Sequence, residues 1–307
     1  MGQISMATFF DETIVAKDRL YADIVKAPNR YLRKARRSTE RMWMSCGQFV
    51  DANAQVRAWS DDFCAVWWEL YLAYALSKAG ISLVPTKEHP RDQGRGRPDL
   101  LATNPRIWIE AMMPRAGSGP DALVEPASQT VFDVPADRFV LRLTTALGEK
   151  FGKVLQYIEA GTIPISDAVV VAISGGRLPF RFQEYPIPNI VRALCGVGFL
   201  CAEVDVRSLR RLETYIEFRD HVDKISRSPV STDLFLRKEF AYISAVLYSG
   251  ADCVNYPRRP GREFIIVHNP NARVPIPTAW LPSGEHYRIQ EGVLRREIPP
   301  ACRLHHQ

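Results

Sequence analysis

A helix with almost no polar face is the feature that most constrains this chain. Across residues 63–76 the only charged residue is Glu69. Asp61 or Asp62 is suited to begin this helix and Gly80 to end it. Since apolar positions surround the helix on a 3.6-residue period, we expect it in the protein interior. Glu69 is then buried, and a buried carboxylate must be neutralised, paired with an arginine in the core, or bound to a metal.

Two strand candidates follow the helix and are joined by a turn. Residues 100–102 and 106–111 flank residues 103–105, Thr-Asn-Pro, a composition typical of turns. A hairpin symmetric about that turn places Asp99 opposite Glu110, with Cβ atoms about 5 Å apart. Two like charges so close repel unless a cation lies between them, and such oxygen ligands suit Mg²⁺. A register shifted by one residue would turn one carboxylate to the other face.

The order of the predicted elements supports this hypothesis. The elements are the helix with Glu69, strands at 81–85, 98–102 and 106–112, a helix at 138–160 and a strand at 167–173. This αβββαβ order, with Pro98-Asp99 beginning one strand and Glu110 on the next, resembles the PD-(D/E)XK, or restriction-endonuclease-like, nuclease superfamily. The resemblance covers residues 60–175. It implies an α/β (α+β) fold whose mixed central sheet is flanked by helices, and a metal-dependent nuclease activity.

Residue by residue, the resemblance implies that Asp99 and Glu110 bind Mg²⁺ or Mn²⁺, with Glu69 as a further metal ligand and catalytic residue. The superfamily places a lysine two residues after the second carboxylate, and this chain has Met112 there. Met112 faces the same way as Glu110 along a strand but cannot orient or deprotonate water. Either the site is inactive or another residue supplies the ammonium group.

The helix predicted at 138–160 offers two substitutes for that lysine. Its apolar stripe consists of Val140, Leu143, Leu147, Phe151, Val154 and Ile158. Lys150 flanks this stripe, and Lys153 lies further round the helix. Lys150 is therefore the first candidate catalytic lysine and Lys153 the second, while solvated surface lysines are the alternative interpretation for both.

Two basic segments are candidates for binding a phosphate backbone, since lysines and arginines that neutralise phosphates give sequence-independent affinity. The first is a helical segment at residues 26–41, which contains one acid. Its candidate residues are Arg33, Lys34, Arg36 and Arg37. The second is the loop at 91–97, where Arg95 and Arg97 could hold a phosphate with their planar guanidinium groups. Each segment has a plain alternative: a solvated helix face for the first, and pairing with the carboxylates for the second.

Composition limits the class of protein. With 307 residues and 46% hydrophobic content, the chain can form one or two domains with a large core. A net charge of +6 is compatible with a polyanionic partner. No run approaches the roughly 20 apolar residues of a membrane span, and residues 1–15 do not resemble a signal peptide. The six cysteines show no metal-type spacing. We therefore expect a cytoplasmic protein that does not bind membranes.

The remainder of the chain is predicted to support the central region. The predicted division is a basic helical region at 1–60, a nuclease-like core at 61–206, and a C-terminal extension of helices and a β-hairpin at 207–307. In the extension, residues 207–226 and a segment from Thr232 are predicted as helices. The hairpin strands are predicted at 253–256 and 263–268.

The sequence thus predicts a metal-dependent nuclease that hydrolyses phosphodiester bonds in DNA, or less favourably RNA, with a homodimer as one candidate assembly. A second hypothesis keeps the fold without the chemistry: a catalytically inactive protein that binds nucleic acid or regulates a partner, with Met112 marking the loss. A third is an unrelated α/β protein whose carboxylates are structural.

Overall fold

A seven-stranded mixed sheet with helices on both faces forms the centre of the molecule. The computed structural model describes residues 8–90, 96–125, 134–181 and 186–299. The chain is therefore an α/β protein with a mixed central sheet, as the sequence predicts. Within the described ranges, no helix combines the length and apolar character needed to cross a bilayer.

The helices are α1 (Arg19–Lys26), α2 (Arg30–Cys46), α3 (Ala54–Arg57), α4 (Phe63–Lys78), α5 (Ala136–Glu159) and α6 (Asn189–Arg192). The strands are β1 (Leu100–Ala102), β2 (Ile107–Met112), β3 (Ala168–Ser174), β4 (Val197–Val204), β5 (Arg211–Phe218), β6 (His221–Asp223), β7 (Pro229–Ser231), β8 (Ala245–Ser249), β9 (Ile265–His268), β10 (Glu285–Gln290) and β11 (Val293–Glu297). The central sheet has the order β1-β2-β3-β8-β9-β10-β11, while β4–β5 and β6–β7 form separate pairs.

Helix α4 is buried all round, as its composition predicts. The Asp62 side chain caps its first turn by accepting a hydrogen bond from the backbone N–H of Ala65 at 3.0 Å. At its end, Gly80 adopts a φ of +82°, a conformation that glycine takes without strain. Residues 8–60 pack into the same apolar cluster as α4. A π-helical turn at Ala58–Asp62 follows α3, and Asp62, whose φ of -147° is not helical, begins α4 close to the boundary predicted at residue 60.

Helix α5 covers the opposite face of the sheet. Along β3, Val170 and Ala172 belong to the cluster with α4, whereas Val171 and Ile173 belong to the cluster with α5. Every residue of β3 is buried. Because parallel strands covered on both faces need apolar side chains throughout, this arrangement explains the continuous apolar run in the sequence.

The hairpin of β1 and β2 has the register that the sequence predicts. Leu100 pairs with Ile109 and Ala102 with Ile107 in antiparallel fashion. The strand predicted at 81–85 is reduced to a single bridge between Leu83 and Ala102. Pro85 has no N–H with which to extend the pairing, which explains why the strand stops there.

The predictions for the C-terminal third were wrong in three places. Residues 207–226 form β5 and β6 rather than a helix, because charged and apolar residues alternate with a period of two there. The segment from Thr232 forms short 3₁₀ turns and then β8, which is buried between β3 and β9. The first hairpin strand is β8 rather than residues 253–256. Four strands from this region, β8 to β11, complete the central sheet.

Candidate active site

The predicted carboxylates meet at one edge of the central sheet, by which we mean the side formed by the carboxyl ends of its parallel strands. Strands β2, β3 and β8 are parallel and end at this edge, and β1, which runs antiparallel to β2, begins there. Asp99 immediately precedes β1, and Glu110 lies near the end of β2. In open α/β sheets, ligands bind outside the carboxyl ends of such strands. Asp99 and Glu110 therefore lie where ligands commonly bind in sheets of this kind.

Asp99 is fixed to the neighbouring strand. Its Oδ2 accepts a hydrogen bond from the backbone N–H of Ala111 at 2.7 Å. This bond holds the Asp99 carboxylate beside β2, next to the residue that the register places opposite it. The side chain is half-buried, so water and a substrate can reach it.

Glu110 is almost completely buried, with 2% of its surface exposed. Its Oε1 accepts a hydrogen bond from Lys150 Nζ at 2.5 Å, whereas Lys153 Nζ lies 3.8 Å from the same oxygen. Its Oε2 is buried and has no hydrogen-bond partner among the described residues. Of the two candidate lysines, Lys150 is therefore the one that bonds directly to Glu110. Lys153 is peripheral, with a half-exposed side chain.

Glu69 is buried on α4 and pairs with Arg57, which hydrogen-bonds to its Oε1. The interpretation in which an arginine pairs with Glu69 therefore describes this structure. Sequence reasoning did not identify Arg57, since nothing distinguishes it from the many other basic residues of the N-terminal region.

Electrostatic repulsion links the three carboxylates. Burial, followed by the charge of Asp99, raises the pKa of Glu110 to about 7. The same two causes raise the pKa of Glu69 to about 8. Burial disfavours the charged form of Lys150, but the charges of Glu110 and Asp99 outweigh this effect and raise the pKa of the lysine. The cluster therefore favours any added positive charge, either a proton or a cation.

The arrangement of Asp99, Glu110 and Glu69 suits a cation bound by two of these carboxylates better than a cation bound by all three. Among the residues described, no three or more His, Cys, Asp or Glu side chains are grouped so that they could hold a metal ion. Glu69 already pairs with Arg57. Asp99 and Glu110 suit a hard ion that fills its other positions with water and substrate oxygens, since no described residue hydrogen-bonds to Glu110 Oε2.

The basic residues predicted to bind nucleic acid differ in how free they are. Arg33, Lys34 and Arg37 are exposed on α2, although Arg33 makes long hydrogen bonds to backbone carbonyls and Lys34 lies over the ring of Tyr256. Arg36 is engaged internally, since it donates to Glu12 Oε1 at 2.6 Å and to the carbonyl of Val25 at 2.9 Å. Its predicted role is therefore the weakest of this group, because its guanidinium is half-buried and makes two short hydrogen bonds.

In the loop before β1, Arg97 is half-buried two residues before Asp99 and forms no ion pair with Asp99 or Glu110 in the described part of the chain. The other candidate from this loop, Arg95, lies outside the described residues.

Two further arginines at the same edge were missed by sequence reasoning. Arg177 and Arg181 follow the end of β3 and line a cavity of about 440 Å³ together with Met113. Arg177 donates to Asp62 at 2.8 Å, and Arg181 hydrogen-bonds to Asp252. Their position just after a buried central strand, beyond Gly175-Gly176, is the signal that could have identified them.

Comparison with protein-family models, with curated proteins and with solved structures found no match to this chain.

Proposed function

We propose that this protein is a metal-dependent nuclease with a PD-(D/E)XK-type core, acting on phosphodiester bonds in DNA and less favourably in RNA. One observation supports this most: Lys150 Nζ lies 2.5 Å from Glu110 Oε1, while Glu110 Oε2 is buried and has no hydrogen-bond partner in the described part of the chain. The proposal includes a cytoplasmic location, which agrees with the five described cysteines being free.

Asp99 and Glu110 would hold Mg²⁺ or Mn²⁺ in this proposal. When bound, the ion lowers the pKa of water and offsets the charge that develops on the phosphate. Glu69 is assigned an indirect role, because its pairing with Arg57 keeps it from the cation. Its negative potential still contributes to the affinity of the edge for positive charge.

Lys150 takes the role that the superfamily gives to the lysine two residues after the second carboxylate. An ammonium group has three N–H donors, and one of them is directed at Glu110. The other two can orient a water molecule and a phosphate oxygen. Because Lys150 comes from α5 rather than from β2, the apolar Met112 does not by itself imply an inactive site.

The second candidate function, nucleic-acid binding without catalysis, is favoured by a different observation. Glu110 Oε1 is already occupied by Lys150, and the raised pKa of Glu110 allows a proton to neutralise the carboxylate instead of a metal. In that case the cluster would be a structural remnant, and only the basic surface would function.

Incubation of supercoiled plasmid DNA with the protein and Mg²⁺ or Mn²⁺ separates the two functions. The wild-type protein should nick the plasmid and Asp99→Ala should not, whereas Asp61→Ala, which removes an exposed aspartate, should leave the rate unchanged. If the protein binds DNA with an affinity that Asp99→Ala does not change, but never cleaves it with either metal, the inactive function is correct.

A further inference from the structure

A proline-rich basic turn lies between the central strands β8 and β9. We call residues 257–262, Pro-Arg-Arg-Pro-Gly-Arg, the arginine turn. The ten residues that end with it, 253–262, contain three arginines and no acidic residue. Such a concentration of positive charge in one segment is typical of a surface that meets a polyanion.

The backbone of the arginine turn is held in a fixed conformation. The backbone N–H of Arg262 donates to the carbonyl of Arg259 at 3.4 Å, and Gly261 between them has a φ of +86°. Proline in the second position and glycine at a positive φ in the third are features of a type II turn. The carbonyl of Gly261 also accepts hydrogen bonds from the backbone N–H of Phe264 and from Ser283 Oγ, both at 3.4 Å. A backbone that is already ordered loses little further entropy when it binds a partner.

The charges of the arginine turn are not used inside the protein. Arg258 and Arg259 are exposed, and Arg262 is half-buried. Across the described ranges, none of these three guanidinium groups pairs with a carboxylate or forms a hydrogen bond. Guanidinium groups can bind phosphate oxygens through two parallel N–H donors, so three of them in one turn suit a phosphate backbone.

The arginine turn continues the basic face of α2. Lys34 Nζ lies 4.9 Å from the centre of the Tyr256 ring, and Tyr256 directly precedes the turn. Arg37, which is three residues after Lys34 and therefore its neighbour on the helix surface, is also exposed. Lys34, Tyr256 and Pro257 are among the residues that line a cavity of about 560 Å³. The helix and the turn therefore form one basic surface rather than two separate patches.

The arginine turn lies at the same edge of the sheet as Asp99 and Glu110. Strand β9 is antiparallel to β8, so the residues just before β9 lie where β8 ends. From β2, which carries Glu110, to β9 the sheet order crosses three strand spacings, or roughly 14 Å. The phosphates of one DNA strand follow one another at about 3.4 Å along the helix axis, so this distance corresponds to about four phosphates.

We propose that the arginine turn binds the phosphate backbone of nucleic acid, about four phosphates along one strand from the bond held beside Asp99 and Glu110. Its arginines position the substrate and do not contact the reacting atoms. The distance from the cleaved bond rests on the proposed nuclease function. The binding itself uses only the charges of the turn and needs neither a metal nor cleavage.

Fluorescence anisotropy of the full chain with a short labelled DNA duplex in EDTA measures the contribution of the turn. Arg258→Ala and Arg259→Ala should each lower the slope of log K against log salt by about 0.9, and the double variant by about twice as much. Arg258→Lys keeps the charge and should keep the slope. Arg210→Ala is the matched control, since it removes an exposed arginine from the turn between β4 and β5 and should leave the slope unchanged.

An unchanged slope for the double variant overturns the proposal, and so does an equal loss of slope for Arg210→Ala. Circular dichroism checks that each variant retains the fold, which is expected because the substituted side chains are exposed. Salt-slope changes in a protein that never cleaves DNA would support the arginine turn and contradict the nuclease function. Cleavage by a protein whose slope the double variant leaves unchanged would do the reverse.

Single methylphosphonate substitutions, each of which removes the charge of one phosphate, test the position of the contact. In a duplex that is cleaved at a known bond, substitution about four phosphates from that bond should weaken binding by the wild type but not by the double variant. Equal effects on the two proteins at every position would overturn the placement.

Discussion

Two polar clusters are buried in the same sheet, and they differ in how well their hydrogen bonds are satisfied. The first is the acidic cluster of Asp99, Glu110 and Lys150 at the β1–β2 edge. The second is the histidine pair, where His268 Nε2 and His286 Nδ1 lie 2.9 Å apart between β9 and β10. His286 Nε2 also lies 3.0 Å from the carbonyl of Leu281. Both ring nitrogens of His286 thus have partners, whereas Glu110 Oε2 has none among the described residues.

This difference shows which buried polar group is a functional candidate. Most buried polar atoms in native proteins have hydrogen-bond partners, so burial alone indicates only a satisfied structural group. The two histidines of the pair hydrogen-bond to each other and so join two parallel strands. In the acidic cluster, the Lys150 ammonium bonds to one oxygen of Glu110, and no residue within the described ranges bonds to the other. An incomplete cluster at the carboxyl ends of parallel strands is the one that can accept a ligand.

Removing Lys150 from the acidic cluster is expected to have the largest effect. Lys150→Met should lower the DNA cleavage rate by about a hundredfold or more, the usual contribution of a positioned proton donor or acceptor. Lys153→Met should change the rate far less, because Lys153 Nζ is 3.8 Å from Glu110 and its side chain is half-exposed. His286→Gln, in the histidine pair, should leave the cleavage rate per folded molecule unchanged. Equal losses from the two lysine variants would show that Lys150 has no special role.

The two clusters should respond to pH in opposite directions in the metal-free protein. The pKa of Glu110 is raised from 4.5 to about 7, so its contribution to stability is present below about pH 4.5 and lost as pH rises through 7. The pKa of His268 is lowered from 6.5 to about 3, mainly by burial, so its contribution is present above pH 6.5 and lost as pH falls towards 3.

Thermal unfolding in EDTA between pH 4 and pH 9 measures both effects. Glu110→Gln should reduce the fall in Tm on the alkaline side, and His268→Gln should reduce the fall on the acid side, each by a few degrees. Identical pH profiles for the wild type and both variants would contradict the assignment of these two groups.

The smallest effects are expected at the basic surface of α2. Arg33→Ala and Arg37→Ala should each weaken DNA binding several-fold and lower the slope of log K against log salt by about one for each phosphate that is no longer neutralised. Arg36→Ala is the matched control, since Arg36 is already paired with Glu12. Fluorescence anisotropy at several salt concentrations measures the slope. Unchanged slopes for the Arg33→Ala and Arg37→Ala variants would show that DNA does not contact this surface of α2.

Local sequence signals predicted where most residues of the candidate site lie in the fold. The cap at Asp62 and the absence of other charges predicted α4 and the burial of Glu69. The turn at residues 103–105 predicted the register that places Asp99 opposite Glu110, and the apolar stripe of α5 singled out Lys150. Each of these signals spans at most a few turns of helix or a single hairpin.

The parts that were missed depend on interactions between residues distant in sequence. The pairing of Arg57 with Glu69 needs two helices to pack in one particular way. Strand β8 resembles an amphipathic helix in sequence, and it is a strand because β3 and β9 lie on either side of it. Strand β5 shows period-two alternation, a local signal that its high charge content obscured.

Anomalous diffraction from crystals soaked in Mn²⁺ tests the metal site most directly. The proposed metal site predicts a peak between the carboxylates of Asp99 and Glu110, with Lys150 still beside the site, and no peak there in Asp99→Asn. Absence of a peak at saturating Mn²⁺, with Lys150 still bonded to Glu110, would contradict it.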